Sequence, residues 1–515
     1  MSTLFERGND INGTATRAHF KDRSTAVDLR TASPADTAAP SGEVRRTVDE
    51  PMPLPTRPPV STAGVSPTLR RIMTPSGLAS PAATGTQFGV GEVGTQMSDP
   101  PDTTGALDTQ SFMVMTNQAV WGYAKNSQGV YNSMFLDDFF TATPAPASVD
   151  LFDPVIIRDP LGNQCVAVAL NKLATGAPGI YLGSTYESDV MGNWQYYWIG
   201  ADQLNLNPGE WVHFPKVGTN SEFLAVTVNI YTGVKPSAVY VTTLVLVMDL
   251  VGFYATGATN LVTFRGQVGS TTVPCRTHDA AAPLWMVSTN DSNISGDCSI
   301  NLYSITGSFA ANNVAITAAT VLTAPGLAYN TAGPNPGGAQ LGTTQTLDVG
   351  DSRMQSAVIW NNMLWCVHGV WLPLAGPPTN TGVNVYCIDT SGAAPVLAQS
   401  MCFEDPTAAT SYGAPSIAVN SLGDVLIGMS MFNSSAYPQG TYTSRAAGDP
   451  PNTLRNAAST IASSTNWTSN NRWGDYSATI VDTNDQVSLW TLQEACGVWI
   501  TTRWFTIWMY VPQIT

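Results

Sequence analysis

The feature of this sequence that most constrains its fold is a long internal repeat. An apolar, strand-like segment is followed by a polar turn and a second apolar segment, and this pair recurs seven times after residue 97. The second segments, among them "FMVMTN", "CVAVAL" and "LWCVHG", begin 53 to 63 residues apart, with one longer step of 80 residues. Repeats of this length, with about four strands each, are typical of β-propellers, whose small sheets bury their faces only against neighbouring sheets.

The repeat therefore predicts an all-β chain that forms a β-propeller, with seven four-stranded blades as the leading count and six or eight as alternatives. Only 11% of the residues are charged, and the 44 Gly and 35 Pro suit many short strands joined by turns. The last repeat shows only three clear strands. We expect a strand from the segment near residues 85–95 to complete it and close the ring.

The first 88 residues differ from the repeats. The stretch "TASPADTAAPSGEVRRTVDEPMPLPTRPPVSTAGVSP" is rich in Pro, Ala, Ser and Thr, and has too few large apolar residues to fold alone. We therefore predict an extended, non-globular arm over residues 1–88 and the propeller over residues 89–515. The arm is either a disordered leader or a segment that orders on a partner, through self-association or a particle scaffold, by adding a strand to a sheet edge.

Charge and hydropathy exclude several classes of partner. The formal net charge is −15, and residues 1–73 hold 10 of the 22 Lys and Arg, so the rest of the chain is strongly acidic. Nucleic-acid binding needs a cationic surface, so we predict none. The most apolar run, "AVYVTTLVLVMDLVGFYATG", is interrupted by Asp249 and is too short and Thr-rich to span a bilayer. We interpret this run as two buried strands and predict no membrane span.

Seven cysteines are present, none in C-x-x-C spacing, which disfavours a zinc or redox site. An odd number leaves at least one thiol free or paired between chains. Several lie within apolar runs such as "LWCVHGV" and "VNVYCID", so a buried free thiol is the favoured interpretation.

Several segments resemble a family of secreted bacterial β-propeller proteins that is related in fold to the sialidase-like propellers. They include "PPDTTGALDTQSFMVMTN", "SRMQSAVIWNNMLWCVHG" and "NRWGDYSATIVD" followed by "LWTLQE". The resemblance covers residues 97–510, is strongest over 412–510, and implies a propeller in an exported or surface protein. The chain departs from the family because it begins without the apolar region of a secretory signal and carries the Pro/Ala-rich arm. We therefore expect an extracellular, cell-surface or virion location, as in a phage particle or an assembled surface appendage.

Three arginines fall near the starts of first segments, which in a propeller line one mouth of the central channel. They are Arg276 in "VPCRTHD", Arg353 in "GDSRMQSAV" and Arg472 in "NRWGDYS", with Arg276 later in its segment than the other two. Sialidases bind a substrate carboxylate with three arginines, because guanidinium groups match carboxylate geometry. The three arginines are accordingly candidate ligand-binding residues.

Asp351, Asp475 and Tyr476 are further candidates at the same mouth, since sialidases also use a Tyr nucleophile and an Asp acid/base. The chain shows no clear Tyr–Glu pair, however, and "TNDQVSLW" has Val487 where the S-x-D-x-G-x-x-W box of sialidases has Gly. Our leading hypothesis is a non-enzymatic structural or binding protein in which an Arg–Asp pair braces neighbouring blades. The alternatives are a sialidase-like glycoside hydrolase or a module that binds a glycan ligand at the mouth.

One turn has the composition of a calcium site. Asp482, Asn484 and Asp485 in "DTND" offer the oxygen ligands that Ca²⁺ prefers, although Asx-turns explain the same residues. We predict no other cofactor.

Overall fold

The computed structural model describes most of the chain after residue 97, together with five short segments before it. The described residues are 15–19, 27–28, 46–47, 77–83, 88–91, 98–125, 130–140, 148–234, 237–255, 259–294, 296–331, 334–498 and 502–515. Strands dominate these residues and helices are few, which confirms the predicted all-β class. Most of the predicted arm lies outside the described residues, and the division of the chain at residue 88 stays a prediction.

Five short strands precede the repeats: β1 (Ala15–His19), β2 (Val27–Asp28), β3 (Arg46–Thr47), β4 (Phe88–Gly91) and β5 (Ser98–Asp99). The strands β3 and β5 pair in parallel with each other, whereas the other three add to sheets formed later in the chain.

The repeats form seven units of consecutive antiparallel strands, numbered here in chain order. Unit 1 comprises β6 (Thr104–Leu107), β7 (Ser111–Met115), β8 (Ala119–Ala124) and β9 (Val130–Phe135). Unit 2 comprises β10 (Leu151–Arg158), β11 (Cys165–Asn171), β12 (Gly179–Thr185) and β13 (Asn193–Gly200). Unit 3 comprises β14 (Glu210–Thr219), β15 (Phe223–Thr232), β16 (Val239–Asp249) and β17 (Asn260–Arg265).

Unit 4 is the most irregular, because its first strand is split. It comprises β18 (Val273–Pro274), β19 (Arg276–Thr277), β20 (Leu284–Ile294), β21 (Asp297–Thr306), β22 (Ala315–Ile316) and β23 (Thr320–Ala324). Unit 5 comprises β24 (Met354–Trp360), β25 (Met363–Leu372), β26 (Asn380–Asp389) and β27 (Val396–Phe403). Unit 6 comprises β28 (Thr410–Val419), β29 (Val425–Asn433), β30 (Ala436–Arg445) and β31 (Ala458–Ala462). Unit 7 comprises β32 (Ala478–Val481), β33 (Leu489–Val498) and β34 (Thr502–Val511).

The units are arranged as a β-propeller, as predicted, but the predicted count of seven separate blades is wrong. Five units, namely 1, 2, 4, 6 and 7, form sheets of their own and make five blades. Units 3 and 5 are instead joined in one ten-stranded sheet, because β19 pairs in parallel with β14 on one side and with β24 on the other. The break at Cys275 frees β19 from the sheet of unit 4 and allows this bridge.

The first strands of the units surround a central channel. Each first strand contacts that of the next unit, and β32 of unit 7 contacts β6 of unit 1, which closes the ring. Residues of these first strands line a cavity along the channel.

The hydrophobic core is divided into clusters that lie between neighbouring units. Val168 of β11 and Val226 of β15 belong to one such cluster, between units 2 and 3. Phe112 of unit 1 packs against Trp490 of unit 7, with ring centroids 4.7 Å apart. Strands covered on both faces read as continuous apolar runs, which explains segments such as "CVAVAL".

The strand β4 completes unit 7, as predicted. It pairs antiparallel with β34, with Phe88 opposite Trp508 and Gly91 opposite Phe505. The preceding residues also contact the propeller, because the backbone N–H of Asn456 donates to the carbonyl of Leu78 at 2.9 Å. The chain before the first unit thus closes the last one.

The most apolar run was predicted as two buried strands, and this is wrong. It forms one strand, β16, followed by a short helix α2 (Leu250–Ala255). Leu250 and Phe253 are buried, and their spacing of three residues places both on one face of a helix. The other helices of the described residues are α1 (Leu136–Phe139) and a 3₁₀ turn at Leu173–Thr175. Within the described residues, no helix is both long and apolar enough to cross a lipid bilayer.

All seven cysteines lie within the described residues. Each is buried and outside any disulfide bond, which agrees with the favoured interpretation. Burial raises the pKa of the Cys165 and Cys387 thiols to about 12, so these side chains act as small apolar groups.

Candidate functional site: the channel mouth

A β-bulge with an unusual backbone conformation recurs where three of the first strands begin. Asp153, Phe214 and Ala414 have φ angles of 49°, 59° and 46°, and each precedes a proline. The pairing with the second strand shifts its register at each of these positions. A positive φ is unfavourable for residues with a Cβ atom, and bulges of this kind re-aim residues next to functional sites. We refer to this end of the channel, where the first strands begin, as the mouth.

A chain of hydrogen bonds crosses the mouth from unit 7 to unit 3. The backbone N–H of Asp475 donates to Oδ1 of Asp102 at 2.7 Å, and Nδ2 of Asn117 donates to Oδ2 of the same carboxyl group at 2.6 Å. The N–H of Asp153 donates to Oδ1 of Asn117 at 2.7 Å, and the N–H of Phe214 donates to Oδ2 of Asp153 at 3.1 Å. Burial, followed by the nearby charges of Asp475 and Asp153, raises the pKa of Asp102 well above its usual value. The polar groups of four units are therefore bonded to one another.

Two aromatic rings and two cations pack together at the mouth. Phe214 and Tyr476 stack with ring centroids 5.1 Å apart, and Nζ of Lys216 lies 4.5 and 4.6 Å from the two centroids. Cζ of Arg353 lies 4.9 Å from the Phe214 centroid. Nζ of Lys216 also donates to Oε1 of Gln355 at 3.0 Å. These cation–π contacts and the hydrogen bond hold a lysine that is only 6% exposed.

The protonation of Lys216 and Tyr476 follows from their burial. Burial lowers the pKa of the Lys216 amine to about 7, although the carboxylates of Asp475 and Asp153 act in the opposite direction. Burial also raises the pKa of the Tyr476 hydroxyl well above its usual value, and this hydroxyl has no hydrogen-bond partner among the described residues. Tyr476 is therefore held as a neutral phenol.

Four of the residues predicted from the sequence form two ion pairs at the mouth. Nη2 of Arg353 lies 2.8 Å from Oδ2 of Asp351, and Nη2 of Arg472 lies 3.0 Å from Oδ2 of Asp475. The arginine side chains are 6% and 7% exposed, and the aspartates 18% and 23%. Burial lowers the pKa of each guanidinium, but the paired aspartate and the other ionisable groups nearby together more than offset it, so the net pKa is raised. Both arginines thus already hold a carboxylate of their own chain.

Arg276 lies within the channel and bonds across it. Its Nη1 donates to the carbonyl of Thr479 at 2.9 Å, and its Nη2 donates to the carbonyl of Ile417 and to Oγ of Ser356 at 3.4 Å. These partners belong to the first strands of units 7, 6 and 5, so Arg276 connects them to unit 4. The structure brings Arg353, Arg472 and their aspartates together with Tyr476, and places Arg276 among a different set of partners.

Glu494 supports the mouth from the second strand of unit 7. Its Oε1 accepts a hydrogen bond from the N–H of Thr103 at 2.9 Å, and its Oε2 accepts one from the N–H of Gly474 at 3.0 Å. A Cβ atom on Gly474 would lie 2.1 Å from this carboxyl group, so the close approach requires glycine. Burial raises the pKa of Glu494 to about 7.

Sequence reasoning missed Asp102, Asp153, Phe214 and Lys216 at the mouth. A usable signal was present, because the dipeptides Asp153–Pro154, Phe214–Pro215 and Ala414–Pro415 occupy the same position in three repeats. Proline within a strand marks a bulge or an edge.

The candidate calcium turn follows β32 and is internally bonded. Oδ1 of Asp482 accepts hydrogen bonds from Nζ of Lys125 and the N–H of Asn484, both at 2.9 Å, and Oδ2 accepts one from Nε1 of Trp490 at 2.6 Å. Oδ1 of Asp485 accepts two backbone N–H groups, as in an Asx-turn. Nowhere in the described part of the chain do three or more His, Cys, Asp or Glu side chains form a group suited to a metal ion. Calcium binding stays a prediction.

Fold and mouth together define a β-propeller protein with a charged channel. No family model matches the chain, and no curated protein matches it. The resemblance to secreted bacterial propellers therefore stays an expectation.

Similar solved structures include propellers of several kinds. The WD40 domain of SCAP from fission yeast is 12% identical, covers 78% of this chain and 83% of its own, and has a TM-score of 0.28. The endosialidase of phage phi92 is 10% identical, covers 85% of this chain and 70% of its own, and has a TM-score of 0.38. An exo-β-1,3-galactanase from Phanerochaete chrysosporium is 10% identical, covers 71% of this chain and 80% of its own, and has a TM-score of 0.27. At these identities and scores the likenesses say nothing about activity.

Proposed function

We propose that this chain is a non-enzymatic structural or binding protein, a rigid β-propeller at a cell or particle surface whose N-terminal arm docks on a neighbouring subunit. The observation that carries the proposal is the internal pairing of the charged groups at the mouth. Arg353 and Arg472 each hold an aspartate, and Arg276 holds carbonyls of two other units. Guanidinium groups that bind a substrate carboxylate need their forks free for it, whereas Arg353 and Arg472 already pair with aspartates of their own chain.

Strand pairing of the N-terminal region supports the role of the arm. The strand β1 pairs antiparallel with the outer strand of unit 3, with Ala15 opposite Phe264 and His19 opposite Asn260. The strand β2 pairs in the same way with the outer strand of unit 2. A sheet edge that pairs with a strand of its own chain can pair with the same strand of a neighbouring subunit instead, so these edges suit the arm of such a subunit.

The proposal is tested by comparing the full chain with a version that begins at residue 77, in size-exclusion chromatography with light scattering. The shortened chain keeps β4 and the contact of Leu78 with Asn456, so its propeller stays closed. We expect the full chain to form a defined oligomer and the shortened chain, which also loses the pairing of β1 and β2, to be a monomer that still unfolds cooperatively. A full chain that stays monomeric over the accessible concentration range, or a shortened chain that assembles equally well, would refute the role of the arm.

A second candidate function is glycan binding or sialidase-like hydrolysis at the mouth. Unused polar atoms favour it, because among the described residues the Tyr476 hydroxyl and the Nε and Nη1 atoms of Arg472 are buried without hydrogen-bond partners. Binding and turnover are measured on a panel of sialosides and uronic-acid glycans, with Tyr476→Phe and Arg353→Ala as variants. Tyr476→Phe keeps the ring packing, so loss of binding or turnover in it at an unchanged melting temperature supports this function. Absence of both in the wild-type protein rejects it.

A further inference from the structure

The cavity in the central channel has an unexpected lining for so acidic a chain. It has a volume of about 120 Å³, and the basic side chains Arg158, Lys216 and Arg276 line it. Among the described residues that line it, none is Asp or Glu, although the chain has a net charge of −15. His278 also lines the cavity, but burial, followed by the charge of Arg276, lowers its pKa to about 3 and leaves it neutral. The cavity is thus positively charged.

Arg276 keeps donors for a further partner. Its described hydrogen bonds use three of the five N–H groups of a guanidinium, and they go to two carbonyls and one hydroxyl. None of these partners carries a negative charge. A cation enclosed by protein is stabilised by a nearby counter-charge, so the Arg276 environment is incomplete without one.

Lys216 lies on a neighbouring strand and provides a second positive charge when its amine is protonated, below a pKa of about 7. It lies three residues before Thr219, which pairs with Arg276, so the two residues are separated by about 10 Å along the strands. The described partners of its amine are the Gln355 amide and two aromatic rings. Asp475 and Asp153 are the carboxylates that raise the pKa of Lys216 most strongly, and neither lines the cavity.

We propose that the channel binds a small oxyanion, a carboxylate or a phosphate group, in the cavity that Arg276 and Lys216 both line. The Nε–H and the second Nη1–H of Arg276 are not used by its described hydrogen bonds, so each can donate a charge-assisted hydrogen bond to an oxygen of either group. The cavity is several times larger than the ~10–15 Å³ needed for one water molecule, so a small anion fits. Arg158, a partly exposed side chain in the lining, attracts anions towards the channel. This site does not involve the arm, and so goes beyond the proposed function.

Isothermal titration with inorganic phosphate and with acetate, in a chloride-free zwitterionic buffer, tests the site on the full chain. We expect saturable binding of at least one anion and at least tenfold weaker binding in Lys216→Met. Lys125→Met is the matched control, because Lys125 is a largely buried lysine that pairs with Asp482 outside the cavity. The Lys125→Met variant should bind each anion with an affinity within twofold of the wild-type value. Tighter binding of phosphate or of acetate then shows whether the site prefers a phosphate group or a carboxylate.

Arg276 variants can fail to fold, because the side chain bridges several units, so a second measurement uses the wild-type protein. A crystal soaked in sodium selenate, a tetrahedral oxyanion, should show anomalous density within hydrogen-bond distance of Arg276. The proposal is overturned if neither anion gives saturable heat, if Lys216→Met binds as tightly as the wild-type protein, or if selenate appears only outside the channel.

Discussion

Asp475 fixes the mouth through both its side chain and its backbone. Its carboxylate pairs with Arg472 at 3.0 Å, and its N–H donates to Asp102 at 2.7 Å, so one residue of unit 7 is tied to the loop before unit 1. The Arg472 side chain is only 7% exposed, and its Nε and Nη1 atoms have no hydrogen-bond partner among the described residues. Its charge therefore depends on Asp475 more than a surface arginine would depend on an aspartate.

Replacing Asp475 with Asn should destabilise the protein without removing the backbone contact. The change leaves a buried guanidinium without its counter-charge, and we expect the free energy of unfolding to fall by about 2–4 kcal/mol, less than for a fully buried pair because Asp475 is 23% exposed. Urea denaturation measures the effect. Asp150→Asn is the control, since Asp150 pairs with Lys172 in a more exposed setting and its loss should cost about 0–1 kcal/mol. Equal effects of the two substitutions would contradict the bracing role.

Lys216 should give the stability of the protein a distinctive pH dependence. Its pKa is about 7 in the folded protein, against a usual value of 10.5, while Asp475, Asp153 and Asp351 favour its charge and Arg353 opposes it. Between pH 7 and 10.5 the unfolded chain binds more protons than the folded one, so this lysine makes stability rise with pH in that window. The cost of burying its charge is present in full below pH 7. Chemical denaturation from pH 7 to 10 should show a rise in the wild-type protein that is absent from Lys216→Met, and parallel profiles would refute the shift.

At the scale of single elements, the bulges that open the first strands should respond to glycine in an unusual way. Ala414 has a φ of 46°, which costs an alanine about 1–2 kcal/mol and a glycine almost nothing. Ala418 lies on the same strand, β28, and is also buried, but is not among the residues with positive φ.

The two alanines therefore make a matched pair for a stability measurement. Ala418→Gly should destabilise the protein by about 0.5–1 kcal/mol through the added freedom of the unfolded chain. Ala414→Gly should be neutral or stabilising, because relief of the backbone conformation offsets the same entropy cost. Thermal and urea unfolding of both variants provide the test. Equal destabilisation by both substitutions would show that the bulge stores no strain.

The repeat in the sequence predicted the kind of fold because each unit must bury its apolar strands against a neighbour. It also predicted that a strand from the segment near residues 85–95 would close the ring, since the last repeat showed only three clear strands. The number of separate blades was not predictable from the repeat, because the break at Cys275 and the parallel pairing of Arg276–Thr277 depend on the neighbouring strands. The hydrogen-bond partners at the mouth could not be predicted from the sequence for a related reason. Asp102 and Asp475 are 373 residues apart and meet only because the ring is closed.

At the scale of the whole molecule, closure joins the two ends of the folded chain. Phe88–Gly91 forms the outer strand of unit 7, and Asp102, just before unit 1, accepts a hydrogen bond from Asp475 of unit 7. The contact between units 7 and 1 therefore depends on residues that precede the first unit. The core cluster between units 7 and 1 contains Leu107 and Trp508, and β34, which carries Trp508, has β4 as its outer neighbour. Without β4, one edge of β34 would present unpaired backbone groups to solvent.

This dependence predicts a sharp difference between two shortened chains. A chain that begins at residue 77 keeps β4, whereas one that begins at residue 98 loses it. The chain from residue 98 should melt at a lower temperature than the chain from residue 77 and self-associate through the open edge of β34. Calorimetry and light scattering measure both effects. A synthetic peptide of residues 77–97, added to the shorter chain, should raise the melting temperature in a concentration-dependent way, because it binds only the folded state. If the shorter chain melts like the longer one and ignores the peptide, the apolar contacts between units 7 and 1 hold the ring closed by themselves, and the strand before the first unit is a tether.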